Sequence, residues 1–229
     1  TTDCRLMDVD QDGDIDIVAS ETPLTGTHQV AWWQNRTIHH DIQLTYAGAV
    51  ATAVDASIGS VGDIDGDGAP DVLITSASEG NVRRAWHNGS GMSNSILVAS
   101  LTNPRDVQIA EVNLDARLDM VIRTDTEVLL YEQGSGTTFP DETLLLYGAK
   151  PTSIATADFD HDGDTDVLWG DGTISTSTIS WSKNTRTPTW ASVHDVDTRP
   201  SKTLVVPSDL NLDGEVDGVV ADAAKVIWF

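Results

Sequence analysis

One nine-residue pattern of alternating acids recurs five times in this chain and limits what it can fold into more than any other feature. The copies are Asp8-Val-Asp-Gln-Asp-Gly-Asp-Ile-Asp16, Asp63-Ile-Asp-Gly-Asp-Gly-Ala-Pro-Asp71, Glu111-Val-Asn-Leu-Asp-Ala-Arg-Leu-Asp119, Asp158-Phe-Asp-His-Asp-Gly-Asp-Thr-Asp166 and Asp209-Leu-Asn-Leu-Asp-Gly-Glu-Val-Asp217. Their starts lie 55, 48, 47 and 51 residues apart. A repeat of that length is one supersecondary unit, which buries its apolar face against the next unit. The five windows hold 21 of the 36 acids and one base, Arg117, and so carry −20 of the net −23. Charge this concentrated has to be neutralised where it sits.

Carboxylates this close repel one another unless a hard divalent cation lies among them, and calcium takes about six to eight oxygens from alternate positions of such a loop. Positions 1, 3, 5 and 9 supply side chains, position 7 a backbone carbonyl, and Gly at position 6 the sharp turn. The candidate ligands are therefore Asp8, Asp10, Asp12, Asp14 and Asp16; Asp63, Asp65, Asp67, Ala69 and Asp71; Glu111, Asn113, Asp115, Arg117 and Asp119; Asp158, Asp160, Asp162, Asp164 and Asp166; and Asp209, Asn211, Asp213, Glu215 and Asp217. The third loop departs most, with Glu111, Asn113, Ala116 and Arg117, so the expectation is four calcium ions, or five if that loop binds. An EF-hand shares the spacing of the first acids but needs a bidentate Glu at position 12 and flanking helices. Position 12 is Ala19, Ile74, Ile122, Trp169 or Val220, which excludes it.

Each loop is preceded by an alternating segment, as in Ser153-Ile-Ala-Thr-Ala-Asp158, and followed by an apolar one, as in Asp-Val-Leu-Ile74. Both read as short strands, and a third strand with aromatic residues follows. Two columns run through that third strand: Trp32, Ala85, Leu130, Trp181 and Trp228, and beside it Trp33, Trp86, Tyr131, Ser182 and Phe229. Neighbouring strand residues face opposite ways, so one column packs between sheets while the other faces an adjacent blade or solvent. A fourth strand comes next, as in Ser95–Leu101 and Glu142–Tyr147. Four short strands per repeat, with no helical periodicity, predict an all-β chain: a single β-propeller domain over 1–229 of about five four-stranded blades, with calcium loops between strands 1 and 2. The repeats fall at 3–54, 55–103, 104–150, 151–200 and 201–229. The last stops within its third strand, at Lys225-Val-Ile-Trp-Phe229, so the chain reads as a piece of a longer one with six or seven blades.

The acidic motif, its apolar sequel, and then Ala-Trp-Trp-Gln-Asn35 or Ser-Trp-Ser-Lys-Asn184 resemble the FG-GAP/VCBS-type repeat of calcium-binding β-propellers, including those of integrin α subunits and many secreted bacterial proteins. The resemblance covers essentially the whole chain. It implies calcium at Asp8, Asp10, Asp12, Asp16 and their equivalents, and an extracellular protein that recognises proteins or glycans or serves a larger one as an accessory domain.

The charge excludes nucleic acid and anionic membrane as partners, because 13 scattered Lys and Arg cannot displace a polyanion's counterions. No stretch approaches the roughly 18 apolar residues of a membrane span, and Thr1-Thr2-Asp3 is neither a signal peptide nor an initiator Met. The single cysteine, Cys4, reads as a buried structural residue. No nucleophile, zinc or phosphate motif is present, His39-His40-Asp41 reads as a surface strand, and carboxylates committed to calcium make poor general acids. The turns opposite the calcium loops collect Arg83, Arg84, Arg105, Arg123, Lys150, Arg199 and Lys202, diluted by Glu21, Glu79, Asp106, Asp125 and Asp171, and a protein or carbohydrate ligand is expected on that face. Asn35-Arg36-Thr37 and Asn88-Gly89-Ser90 match the N-glycosylation pattern. The expected function is extracellular, secreted or cell-surface recognition or adhesion without catalysis. The alternatives are a domain of a polysaccharide lyase or hydrolase and a passive structural repeat.

Overall fold

The computed structural model describes residues 4–21, 28–36, 44–87, 91–93, 95–147, 150–172, 177–186, 190, 194–199, 204–221 and 226–228. Every regular element among them is a strand. Sheet one holds β1 (Cys4–Met7), β2 (Asp16–Glu21), β3 (Gln29–Asn35) and β4 (Leu44–Thr52), and sheet two holds β5 (Ser57–Gly62), β6 (Asp71–Ser76), β7 (Asn81–Trp86) and β8 (Ile96–Ser100). Sheet three holds β9 (Asp106–Ala110), β10 (Asp119–Arg123), β11 (Glu127–Glu132) and β12 (Asp141–Tyr147). Sheet four holds β13 (Pro151–Ala157), β14 (Asp166–Gly172), β15 (Ser177–Ser182) and β16 (His194–Arg199), and sheet five β17 (Leu204–Ser208), β18 (Asp217–Ala221) and β19 (Val226–Trp228). Strands lie in chain order in every sheet, and the pairings are antiparallel. The expected all-β architecture of small repeated sheets is thus present.

The chain divides into two compact units, residues 1–107 with 136–138 and residues 108–135 with 139–229, and the boundary falls inside β9. In the first unit β1 lies against β5, and a core of Val18, Val30, Trp32, Val72, Ile74 and Ala85 fills the space between sheets one and two. In the second, β13 lies against β17, with Val121, Leu130, Ile154, Val167 and Trp169 forming one core and Ala155, Leu168, Ile179, Val205 and Val220 another. The second strands of sheets two to four are covered on both faces: every residue of β6 is buried, as are the first four of β10 and the first five of β14, whereas β2 alternates. That explains why these segments read as unbroken apolar runs and not as alternations.

Register corrects the expected aromatic columns. Counting from position 9 of each loop, Val18 pairs with Trp32, Leu73 with Arg84, Val121 with Leu130, Leu168 with Trp181 and Val219 with Trp228. The residue standing with Trp32 is therefore Arg84, and Ala85 stands with Trp33. A bulge between strands three and four marks the same place in four sheets, at Val30/Ala31, Val82/Arg83, Val128/Leu129 and Ile179/Ser180, always just before that column. Trp32, Arg84 and Leu130 are buried, whereas Trp228 is 52% exposed. Phe229 lies outside the described residues.

Cys4 corrects a second expectation, being exposed. It sits on β1, at the edge of its sheet, where Cys4 and Leu6 alternate outward.

Candidate metal centres

All five acidic loops share one backbone. Position 4 is left-handed in each, at Gln11 (φ 59°), Gly66 (73°), Leu114 (61°), His161 (61°) and Leu212 (62°). Position 6 is left-handed as well, at Gly13 (94°), Gly68 (87°), Ala116 (64°), Gly163 (90°) and Gly214 (91°). Ala116 adopts the glycine conformation despite its Cβ, so the third loop keeps the fold of the others.

Carboxylates set this shape. The position 1 side chain accepts N–H bonds from across the turn, as Asp8 does from Asp12 and Gly13, Asp63 from Asp67 and Gly68, and Asp158 from Asp162 and Gly163. The position 5 side chain accepts the N–H of position 7, at Asp12, Asp67, Asp115, Asp162 and Asp213. Position 9 ties the loop to the sheet. Its Oδ2 accepts the N–H of position 2 in all five loops, from Val9 (3.1 Å), Ile64 (2.8 Å), Val112 (3.1 Å), Phe159 (3.0 Å) and Leu210 (2.9 Å). In three loops its Oδ1 accepts the N–H that ends the third strand, from Asn35 (2.6 Å), Gln133 (2.7 Å) and Asn184 (2.8 Å). These aspartates are essentially out of solvent, at 0% for Asp16, Asp119 and Asp166.

Of the expected ligands, the structure brings together positions 1, 3 and 9 in the first, second and fourth loops. Asp8, Asp10 and Asp16 present oxygens within 4.8 Å of one another, as do Asp63, Asp65 and Asp71, and Asp158, Asp160 and Asp166. Positions 5 and 7 lie outside these sets. In the third and fifth loops Asn113 and Asn211 stand at position 3, which leaves two carboxylates at these positions.

Among the described residues, three loops keep a buried acidic oxygen without a donor. Asp10 Oδ1, Asp160 Oδ1 and Asp209 Oδ1 are buried and accept no hydrogen bond. A buried anionic oxygen without a donor is costly, and a hard cation is the ligand that satisfies several at once. Burial pushes Asp119 and Asp166 up to about 6, against the backbone N–H groups that hold them down. Burial also raises Asp10, helped by the charges of Asp16 and Asp12.

The FG-GAP-like repeat family matches residues 8–74, 63–122 and 111–169, each match running from one acidic loop into the strand beyond the next. The chain belongs to this family. No curated protein matches it closely enough to be called a relative. Among solved structures, a lectin of Agrocybe aegerita, described for its specific recognition of non-reducing terminal N-acetylglucosamine, aligns over 96% of this chain with a TM-score of 0.63 at 16% identity. The alignment takes in 60% of the lectin, so this chain spans less than two thirds of its length and shares its fold. The Photorhabdus luminescens Tc holotoxin pore aligns over 98% of this chain and 14% of its own at 14% identity, with a TM-score of 0.42.

The FG-GAP-like repeats differ in the side chains that answer the loop's charge. These come from the third strand or just beyond it in the first, second and fourth, and from position 7 of the loop itself in the third. Of these the sequence reading named only Arg117 beside its loop. Gln34 donates to Asp10 in the first. Arg84 pairs with Asp65 and, at 2.9 Å, with Asp71 in the second. Arg117 pairs with Asp115 in the third and donates through Nε to Gln133 O at 3.1 Å. In the fourth, Lys183 pairs with Asp160 and Asp162, and Arg186 with Asp164. The hydrogen bond from Lys183 is the largest influence on Asp162, which lies below the usual carboxylate range. Burial works to lower Arg84, yet its bonds to Asp71 and Asp65 hold it above its ordinary value.

The basic turn residues are engaged rather than massed. Arg84 points to the acidic loop instead of the opposite face, Arg83 bonds Ser95 Oγ (2.9 Å) and Ser95 O (2.7 Å), and Arg123 donates to Pro151 O (3.0 Å). Lys202, His39-His40-Asp41, Thr37 and Asn88-Gly89-Ser90 lie outside the described residues, as does the side chain of Arg199.

Proposed function

We propose that this chain is part of a calcium-stabilised β-propeller that recognises carbohydrate outside the cell and does no chemistry on it. The observation that carries the reading is the acidic loop itself: one backbone used five times, three convergent carboxylate triads, and buried oxygens left without donors. Calcium binding available only to the folded loop adds to stability, which suits a surface protein in calcium-rich surroundings. The propeller arrangement is supported by the face-to-face packing of neighbouring sheets within each unit and by the fold shared with the lectin.

Carbohydrate is favoured over protein as the ligand by that lectin's recognition of N-acetylglucosamine and by a cleft in the second unit. The cleft, about 590 Å³, is lined by Phe159, Leu168, Trp181 and Val196, with His161, Asp213 and Glu215 of the fourth and fifth acidic loops at its polar side, so it opens at the calcium-loop end and not on the opposite face expected from sequence. Aromatic faces beside carboxylates suit the apolar and hydroxyl faces of a sugar. A second cleft, about 440 Å³ in the first unit, meets the turn after β6 through Glu79 and strand β7 through Arg83, on the side expected from sequence.

A glycan array read in calcium and in EDTA tests the proposal. The expected result is calcium-dependent binding to a narrow glycan class, weakened by Trp181→Ala or by Arg83→Ala according to which cleft is used. Turnover of a polyuronic or other glycan overturns the non-catalytic reading, and silence on glycan and matrix-protein arrays favours the passive repeat.

A further inference from the structure

We infer that the second acidic loop, by sequence one of the best calcium loops in the chain, is closed by a cation of its own, the guanidinium of Arg84, and takes no metal. The inference refines the calcium reading above, and it rests on four observations in one unit.

The first is position. Arg84 occupies the third-strand site held by Trp32, Leu130 and Trp181 in other repeats, as the pairing of Leu73 with Arg84 and the bulge at Val82/Arg83 establish. In the first repeat that site sends Trp32 Nε1–H to Asp16 Oδ2 at 3.1 Å, a neutral donor to the position 9 carboxylate. The second repeat replaces it with a full positive charge at the same carboxylate.

The second is geometry. Nη2 of Arg84 bridges Asp65 and Asp71, positions 3 and 9 of the loop, which with Asp63 form the convergent triad. The cation thus sits on two of the three carboxylates that an ion would need. The third is burial. Arg84 is 3% exposed and its guanidinium lies over the Trp86 ring, 5.4 Å from the centroid, so it is walled in and cannot swing out to make room. Lys183 on the fourth loop is the contrast: about a third exposed, on a flexible stem, it is free to yield to a divalent ion.

The fourth is satisfaction. The first, fourth and fifth loops each keep a buried carboxylate oxygen with no donor, at Asp10, Asp160 and Asp209. Among the described residues the second loop shows no such oxygen: Arg84 Nη2 covers the buried Asp71 and pairs with the more exposed Asp65, although Nε of Arg84 is itself buried without a partner. A divalent ion there would face a buried like charge at contact range with no water between.

Bound calcium per chain, measured by elemental analysis after gel filtration, tests this in the wild type, Asp63→Asn, Arg84→Trp and the double variant. Expected are equal counts in the wild type and Asp63→Asn, one more ion in Arg84→Trp, and loss of that ion in the double variant. An ion lost on Asp63→Asn alone overturns the inference, as does a folded Arg84→Trp protein that gains none. Should Arg84→Trp fail to fold, Asp63→Asn decides: an unchanged count supports the arginine closure and a lower one refutes it. A wild type that binds no calcium at all sinks the wider calcium reading, and the arginine closure then stands or falls on whether Arg84→Trp acquires an ion.

Discussion

The third and fourth loops have the same backbone and opposite chemistry. Both are left-handed at positions 4 and 6, and both close on a buried aspartate that takes N–H bonds from position 2 and from the end of the third strand. Yet the fourth brings three carboxylates together and leaves Asp160 Oδ1 without a donor, while the third has Asn113 at position 3 and Arg117 folded onto Asp115. Shape and charge are therefore separable in this repeat. The shape comes from local side-chain-to-backbone hydrogen bonds, and a difference in affinity for a cation would come from the charges at positions 3 and 7 and beside the loop.

If the shape is common to both, the largest effect falls on position 9 and is equal in the two loops. Replacing Asp119 or Asp166 by Ala strands two N–H groups each, both buried for Asp119 and one buried and one part-buried for Asp166, and each change is expected to cost about 3 kcal/mol in chemical denaturation. A large cost in the fourth loop with a small one in the third breaks the comparison.

Calcium should separate them. At free calcium about a hundred times Kd, a single loaded loop gains about 2.7 kcal/mol. Asp160→Ala should remove one such increment, read as the difference between denaturation in calcium and in EDTA, whereas Asn113→Ala should leave that difference unchanged.

Acid sharpens the contrast. Asp119 and Asp166 stand at about 6 in the fold, above the unfolded value of about 3.9, so the folded state binds their protons more tightly. Their contribution is fully present below about pH 4 and is lost as pH rises to about 6, falling by about 2 kcal/mol per group without metal. Calcium should cancel that decline for Asp166 and leave it for Asp119. The measurement is unfolding free energy from pH 4 to 7 in EDTA and in calcium, for wild type against Asp119→Asn and Asp166→Asn. Equal responses of the two sites to calcium would contradict the assignment.

Much of this was legible in the sequence because the loop is a local motif: the acids, the glycines and the apolar strands that follow are fixed by short-range hydrogen bonding and periodicity. The strand order followed for the same reason. What stayed hidden was long-range register. The hairpin between the second and third strands varies in length, from Asp16–Trp32 to Asp119–Leu130, so matching Trp86 to Trp33 looked natural and put Ala85 where Arg84 belongs. With that slip a buried cation was assigned to the opposite face. The exposure of Cys4 was hidden because it depends on which strand forms the sheet edge. An arginine within a column of Trp and Leu was the available signal, but only once the four bulges had fixed the column.

The smallest effect isolates shape from charge most cleanly. Ala116 holds a φ of 64° that a Cβ disfavours, while Gly163 holds 90° without strain. Ala116→Gly relieves the backbone but frees the unfolded chain, for a net gain of about 0.5–1 kcal/mol, and Gly163→Ala costs about 1 kcal/mol. A Cβ on Gly163 would meet Arg186 Nη2 at 3.6 Å, an ordinary contact, so that cost is conformational. Denaturation of both variants in EDTA reads the two numbers. Repeating Ala116→Gly in calcium then asks whether the glycine alone turns the third loop into a metal site. If charge sets affinity, it does not, because Arg117 and Asn113 are still in place; an added calcium increment would mean that the turn residue had been the barrier.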